Sequence, residues 1–335
     1  MIVSKTPLRM SFVGGGSDLP SFYRHENGGA VLSTTIDKYI YVAVNRNFDK
    51  GIRLSYSISE ELNSIKDIKH PIIRNALEFL NIDGSIEITS MADIPSKGSG
   101  LGSSSSFTVA LLHALYAYKN MHISKDELGK LASHIELDLC NDPIGKQDQY
   151  AAAYGGLNLI EFKEDDSVLV QPIICKKNTI KKMEKSIIVF YTGRTRDASL
   201  LLREQSKNMD SSVKRLLMKE MVSSVYSMKK LLERGEIEGI GELLDKNWKL
   251  KCQMASNISD PEIDAWYKNG ISAGASGGKI LGAGNGGFIM FYAPEEKHNS
   301  IINAMKGLKR VPFNFEKNGS QILFYQPTTN YFMEQ

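Results

Sequence analysis

The sequence predicts an α+β protein of two domains with a cleft between them. Three observations carry this. Short strand patterns interleave with helical patterns in both halves of the chain. The chain has 335 residues, 42% of them hydrophobic, which is long enough for a sizeable core and suits two domains. The most polar short stretch, Lys176-Lys177-Asn178, sets the expected division at 1–178 and 179–335.

In chain order, strand patterns occupy residues 3–6, 30–34, 39–45, 52–56 and 86–89, with a helix over 71–80. A glycine turn at 98–102 then opens an apolar helical run. Ser124 caps a second helix over 125–137, and a third runs through 151–154 until Gly155-Gly156 stops it. Strands return at 157–162 and 168–174. Beyond the break, 186–191 reads as a buried strand. Residues 198–254 are strongly helical, with Leu200, Leu201, Met218, Met221, Val225, Met228 and Leu231 spaced as a core stripe. A last helix-strand-strand segment spans 280–292, 299–308 and 322–325.

The run Ser99-Gly100-Leu101-Gly102-Ser103-Ser104-Ser105-Ser106 is the most telling stretch. It puts glycines where a helix starts, so unpaired N–H groups and the positive end of the helix dipole favour phosphate, and no side chain blocks its approach. It is not a Walker loop, because Ser103 follows Gly102 where that loop needs Gly-Lys and then Ser or Thr. The spacing of Gly98, Gly100 and Gly102 and the amphipathic strand before them also exclude a Rossmann fingerprint.

Two further glycine clusters, Gly14-Gly15-Gly16-Ser17-Asp18 and Gly282-Ala283-Gly284-Asn285-Gly286-Gly287, point with the first to one large anion bound by backbone, and a nucleoside triphosphate fits best. The net charge of +3 is too small and too evenly spread to argue for nucleic acid or an acidic membrane. No apolar signal region or bilayer-length stretch is visible, and three scattered cysteines show no metal spacing, so a cytoplasmic address is expected.

Phosphoryl transfer needs a cation beside the moving group, a metal held by oxygens and a base aimed at the acceptor hydroxyl. Arg9 supplies a permanent charge, Ser104 and Glu136 are the hard oxygen ligands that Mg²⁺ accepts, and Asp148 is the candidate base. The loop around Arg194 and Arg196 offers two guanidinium forks to an anion, or else caps a helix with Asp197.

Pro7-x-Arg9 leading to Gly16-Ser17-Asp18, Pro95-x-x-Gly98-x-Gly100-Leu101-Gly102-Ser103-Ser104, and Lys279-x-x-Gly282-Ala283-Gly284-x-Gly286-Gly287 resemble the three signature motifs of the GHMP small-molecule kinases, in order, over essentially the whole chain. The segment from Thr6 to Pro20, with Gly29 to Tyr39, is most similar to the D-glycero-D-manno-heptose 7-phosphate kinases.

The resemblance implies a mixed α/β N-terminal domain, a ferredoxin-like C-terminal domain and an active site in the cleft. It implies ATP bound by Pro95, Gly98, Gly100, Leu101, Gly102, Ser103, Ser104 and Ser105, and Mg²⁺ near Ser104 and Glu136. Asp148 is then the base with Arg9 assisting, and Gly15, Gly16, Ser17, Asp18, Gly284 and Gly286 lie on the acceptor side. Where galactose-type members carry Gly-Glu-His, this chain has Gly14-Gly15-Gly16, which removes two sugar-contacting side chains and opens space for a larger sugar.

The expected reaction is phosphorylation of a heptose 7-phosphate at its anomeric hydroxyl, with a sugar phosphate as the small-molecule partner. Related acceptors (a fucose-like sugar, galactose, mevalonate or homoserine) and a non-catalytic sugar- and ATP-binding regulator are the competing readings. Monomer and homodimer both remain open.

Overall fold

A computed structural model of the chain describes residues 1–95, 98–194 and 198–327. Its first half is built on a large sheet. β1 (Ile2–Val13) and β2 (Gly29–Arg46) form its long antiparallel centre, with α1 (Pro20–Tyr23) between them. Then follow β3 (Ile52–Ser55), β4 (Ser59–Leu62), α2 (Pro71–Phe79) and β5 (Ile86–Ala92), β5 pairing antiparallel with β2 and parallel with β3. Helices α3 (Ser103–Tyr118), α4 (Lys125–Ser133) and α5 (Gln147–Tyr154) lead to β6 (Leu157–Phe162), which extends the sheet from β2, and β7 (Val168–Pro172), which pairs with β6.

The second half opens with α6 (Lys177–Lys185), β8 (Ile187–Tyr191), α7 (Ala198–Asn208), α8 (Ser212–Arg234), α9 (Ile240–Cys252) and α10 (Pro261–Ser272). It continues through β9 (Gly277–Ile280), β10 (Phe288–Tyr292), α11 (His298–Ala304) and β11 (Lys309–Arg310). A four-stranded antiparallel sheet in the order β11-β8-β10-β9 results. The chain then returns: β12 (Phe315–Glu316) pairs with β2, and β13 (Gln321–Tyr325) pairs with β1.

This return corrects the division drawn at 178/179. The last strands lie beyond that boundary in sequence but belong to the large sheet, because β1 leaves an edge at Ile2–Lys5 that β13 fills. The strands expected at 30–34 and 39–45 are likewise one element. β2 stays extended through Thr35-Ile36-Asp37-Lys38 because β1 pairs with it on both sides of a bulge at Asp37 and Lys38, while β6, β12 and β5 succeed one another on its other side. Pro7, which has no N–H to give the ladder, coincides with a register shift in β1 before Leu8.

The small sheet joins two cores by strand periodicity. Ile187, Val189, Phe288 and Met290 pack into the main core, while their alternating neighbours Ile188, Phe190, Ile289 and Phe291 pack into a second core beneath α9, α10 and α11. The stripe on α8 is core as expected, with Met218, Met221, Val225 and Met228 buried, and Leu201 is buried on α7. Leu200 is the exception at 69% exposure, on the solvent side of α7. The three cysteines are unpaired. No helix among the described residues is long and apolar enough to cross a membrane.

Candidate functional site

Helix α3 begins at Gly102, whose φ of +74° sharpens the turn, and no side chain caps its first N–H groups. The serines around its start are bonded elsewhere. Ser99 and Ser103 share a hydroxyl–hydroxyl bond of 2.8 Å, and Ser106 Oγ donates to the Pro7 carbonyl at 2.9 Å. Ser104 Oγ donates to Glu136 Oε1 at 3.0 Å. The helix terminus therefore faces a cavity with its backbone donors uncapped, as an anion cradle requires.

Glu136 sits on the π-helical turn His134–Leu139 that follows α4, a widening that turns its carboxylate inward to full burial. Gln149 Nε2 donates to its second oxygen at 2.6 Å. Burial lifts the Glu136 carboxyl to about 7, partly offset by hydrogen bonds from Ser105, Gln149 and Ser104. A hydroxyl and one carboxylate side by side at a phosphate cradle are a donor set that suits Mg²⁺, which keeps much of its coordination for phosphate and water. No cluster of three or more His, Cys, Asp or Glu side chains able to hold a metal occurs among the described residues.

Asp148 lies in the first turn of α5 and meets Arg9 in a bidentate pair, Nε to Oδ1 at 2.7 Å and Nη2 to Oδ2 at 2.8 Å. Arg9 Nη1 donates to the Gly100 carbonyl at 2.6 Å, and its backbone N–H to the Leu101 carbonyl at 3.0 Å. One guanidinium thus joins the base to the glycine turn, and a Cβ on Gly102 would lie 3.1 Å from Asp148 Oδ2. The carboxylate and the cradle are in contact.

Asp18 faces the same cavity, but its oxygens already have partners. Oδ1 accepts from Gly16 N at 3.0 Å and Gln147 Nε2 at 2.9 Å, and Oδ2 from Gln147 N at 3.2 Å at the start of α5. Burial, with the Asp148 charge second, raises its pKa against those bonds.

Lys279 and Lys251 complete the wall from the second half of the chain. Lys279 Nζ is buried and donates to the carbonyls of Ser11 and Phe12 at 2.9 and 3.0 Å, pinning the end of β1 to β9. Its pKa is pushed well down by burial, with Lys251 and Arg9 adding repulsion. Lys251 on α9 is also buried, with Nζ 3.5 Å from the Gly15 carbonyl. Sequence reasoning gave neither lysine a role. Lys279 stood inside a quoted motif, whereas Lys251 had no local signal.

The cavity, about 250 Å³, collects Arg9, Gly15, Gly16, Asp18, Gly98, Gly100, Gly102, Ser103, Ser104, Ser105 and Asp148 from the expected set. It leaves others out. Pro95 is exposed, and Leu101 is buried behind the turn. Ser17 is buried with its hydroxyl between the Ala30 carbonyl and N–H. Gly284 and Gly286 do not face the cavity either. They sit against Ile258 and Arg194, in a loop whose main contribution is to press on the cradle, where a Cβ on Gly100 would lie 2.2 Å from the Leu281 carbonyl.

Arg194 points away to Asp260 at 2.5 Å, Glu262 at 3.1 Å and Asn285 at 3.2 Å, so its fork is already filled. Arg194 does not line the cavity, and its guanidinium pairs with acidic side chains instead of facing the acceptor end. Arg196 lies outside the described residues.

Residues 67–156 match the GHMP kinases N terminal domain, and residues 228–309 match the GHMP kinases C terminal family. The chain is 30% identical to a D-glycero-alpha-D-manno-heptose 7-phosphate kinase of Campylobacter jejuni, over 95% of this chain and 97% of that protein. It is 24% identical to a galactokinase of Pyrococcus furiosus, over 91% of this chain and 92% of that one. A crystal structure titled as a D-glycero-D-manno-heptose 1-phosphate kinase from Bacteroides thetaiotaomicron superposes with a TM-score of 0.78 at 27% identity, covering 96% of this chain and 98% of that chain.

Proposed function

The chain belongs to the GHMP kinases and is an ATP-dependent carbohydrate kinase; on that premise we propose that it phosphorylates D-glycero-D-manno-heptose 7-phosphate at its anomeric hydroxyl. The products are the 1,7-bisphosphate and ADP. The observation that carries the chemistry is the bidentate Arg9–Asp148 pair lying against the uncapped start of α3. Similarity to the Campylobacter jejuni enzyme supports the choice of acceptor.

The ATP phosphates lie on the backbone donors of Gly102 to Ser105. Ser104 and Glu136 would hold Mg²⁺, which would neutralise phosphate charge when bound. The anomeric oxygen forms its bond to the γ-phosphorus as the bond to the β,γ-bridging oxygen breaks and ADP departs with that electron pair. The hydroxyl proton passes to Asp148, whose free lone pairs remain available beside the two that Arg9 occupies. An anomeric hydroxyl is more acidic than an ordinary alcohol, so a carboxylate suffices as its base late in a loose transition state. Arg9 fixes the orientation of that carboxylate and brings positive charge to the reacting centre.

Purified protein with ATP, Mg²⁺ and a panel of heptose 7-phosphate, heptose 1-phosphate, fucose, galactose and mevalonate tests the reading. The expected result is ADP release with the 7-phosphate and a new anomeric phosphate in the phosphorus NMR spectrum. Turnover confined to another acceptor would overturn it.

A further inference from the structure

With Arg194 committed to Asp260 and Glu262, the phosphate that the proposed acceptor already carries needs another partner. The polar surroundings of the Gly15-Gly16 turn supply one. Around the point where a Cβ of Gly15 would stand, Lys251 Nζ and Ser11 Oγ both lie at 3.7 Å and Gln147 Nε2 at 3.9 Å. Three polar heads from β1, α5 and α9 thus converge on a spot that carries no side chain. Beside it, Gln205 Oε1 lies 3.7 Å from the corresponding point on Gly16. Gln205 follows Ser199 and Leu202 along α7, and both of those line the cavity, so the helix turns this face towards the turn.

These groups are unusual in a second way. Ser11 Oγ, Gln147 Oε1 and both amide atoms of Gln205 are buried without a hydrogen-bond partner among the described residues. Ser11 is 3% exposed and Gln205 0%. Buried polar atoms are almost always satisfied, because leaving one unpaired forfeits its hydration with nothing in return. Ser11 and Gln147 lie on the cavity wall beside the buried Lys251 ammonium, with Gln205 buried behind the turn, and together they mark the place where ligand oxygens belong.

The chemistry of the set selects the ligand. An ammonium, a hydroxyl and carboxamide N–H groups are donors matched to phosphate oxygens, and the carboxamide oxygens accept from hydroxyls of a polyol chain. Lys279 stands close enough to Lys251 and Arg9 to feel repulsion from both, so cationic side chains gather along this wall.

We propose that Lys251, with Ser11, Gln147 and Gln205 around the Gly15-Gly16 turn, binds the phosphate-bearing tail of the acceptor and selects a sugar phosphate over the free sugar. This rests on the reading that the acceptor is a heptose phosphate. Lys251 is then a specificity residue, separate from the Arg9–Asp148 pair that acts at the reacting hydroxyl.

The test compares Lys251→Met with wild type on heptose 7-phosphate and on unphosphorylated heptose, with melting temperature and the KM for ATP as controls. Lys251→Met should lower kcat/KM for the 7-phosphate about 100-fold, the scale of a lost charge-assisted hydrogen bond, while changing that for free heptose less than about threefold. Lys251→Arg should recover part of the preference. Equal losses on both acceptors would assign Lys251 to the transferring phosphoryl group and overturn the proposal. A retained preference for the phosphate would overturn it too.

Wild-type enzyme that favours free heptose would instead sink the reading of the acceptor. Gly15→Val gives a second check that leaves all charges in place. It fills the spot between the three polar heads and should raise the KM for heptose 7-phosphate at least about tenfold with the ATP KM unchanged, and an unchanged acceptor KM would count against the subsite.

Discussion

The two ends of the cleft are built on different principles. At the cradle end the functional groups hold one another: Arg9 grips Asp148 and the Gly100 carbonyl, Ser104 and Gln149 grip Glu136, and Ser99 meets Ser103. At the Gly15 end the side chains are only partly paired, and Ser11, Gln147 and Gln205 leave buried atoms unmet among the described residues. Groups that serve charge development at every turnover gain from being fixed in advance, since no reorganisation is then needed as the reaction proceeds. Groups that tell one acceptor from another gain from being left unsatisfied, because an analogue lacking the matching oxygen leaves them buried and unpaired.

The strongest way to break this contrast is at the prearranged end. Asp148→Asn keeps the shape and one acceptor for Arg9 but removes the proton acceptor, so kcat should fall about 10²- to 10⁴-fold with the ATP KM nearly unchanged. Steady-state rates decide it, and unchanged turnover would remove Asp148 from the base role.

Next comes Gly100→Ala. Its φ of +76° disfavours any side chain, and the new Cβ would meet the Leu281 carbonyl at 2.2 Å. Separating the cradle from its supporting loop should cost about 2–4 kcal/mol in thermal unfolding and weaken ATP binding, whereas the acceptor end should be spared.

Glu136→Gln sharpens the contrast through pH. Burial lifts its pKa in the folded protein to about 7, above the ordinary glutamate value of 4.5. The carboxyl therefore contributes most to stability below about 4.5, and that contribution is lost as pH rises through about 7. In ligand-free protein the substitution should stabilise the fold at pH 8 by on the order of 2 kcal/mol, seen as a higher melting temperature, and do little at pH 4. With Mg²⁺ and ATP present the same variant should bind metal more weakly at pH 8. Calorimetry with and without ligand separates the two, and equal effects at both pH values would remove Glu136 as the titrating group.

The smallest effect is expected at Arg194. Arg194→Ala should change the KM for ATP and for the sugar phosphate less than about threefold, since a part-exposed ion pair contributes about 0.2–1 kcal/mol. A selective tenfold rise in the acceptor KM would return this arginine to the binding site.

Much of the cradle end is legible in the sequence because its determinants are local. Glycines before an apolar helical run, a serine at its first turn and motifs in a fixed order all report short-range constraints. Even so, the motifs put Pro95, Leu101 and Ser17 at the ligand because they contain them, whereas Leu101 and Ser17 are buried behind it and Pro95 is exposed and does not line the cavity. Arg194 reads as an anion fork from its own loop. Only the approach of Asp260 and Glu262, 66 and 68 residues away, shows that the fork is filled.

What the sequence determined by itself was the family's order of motifs, the strand and helix periods and the candidate chemistry of Arg9, Ser104, Glu136 and Asp148. Those depend on backbone freedom and residue type, which each position carries alone. The tertiary structure decided that β2 runs unbroken through its polar centre, that β13 returns to β1, and that Lys251 and Gln205 from distant helices meet the Gly15 turn. Each of those depends on partners far away in the chain, and burial beside them, rather than any local pattern, gives these residues their roles.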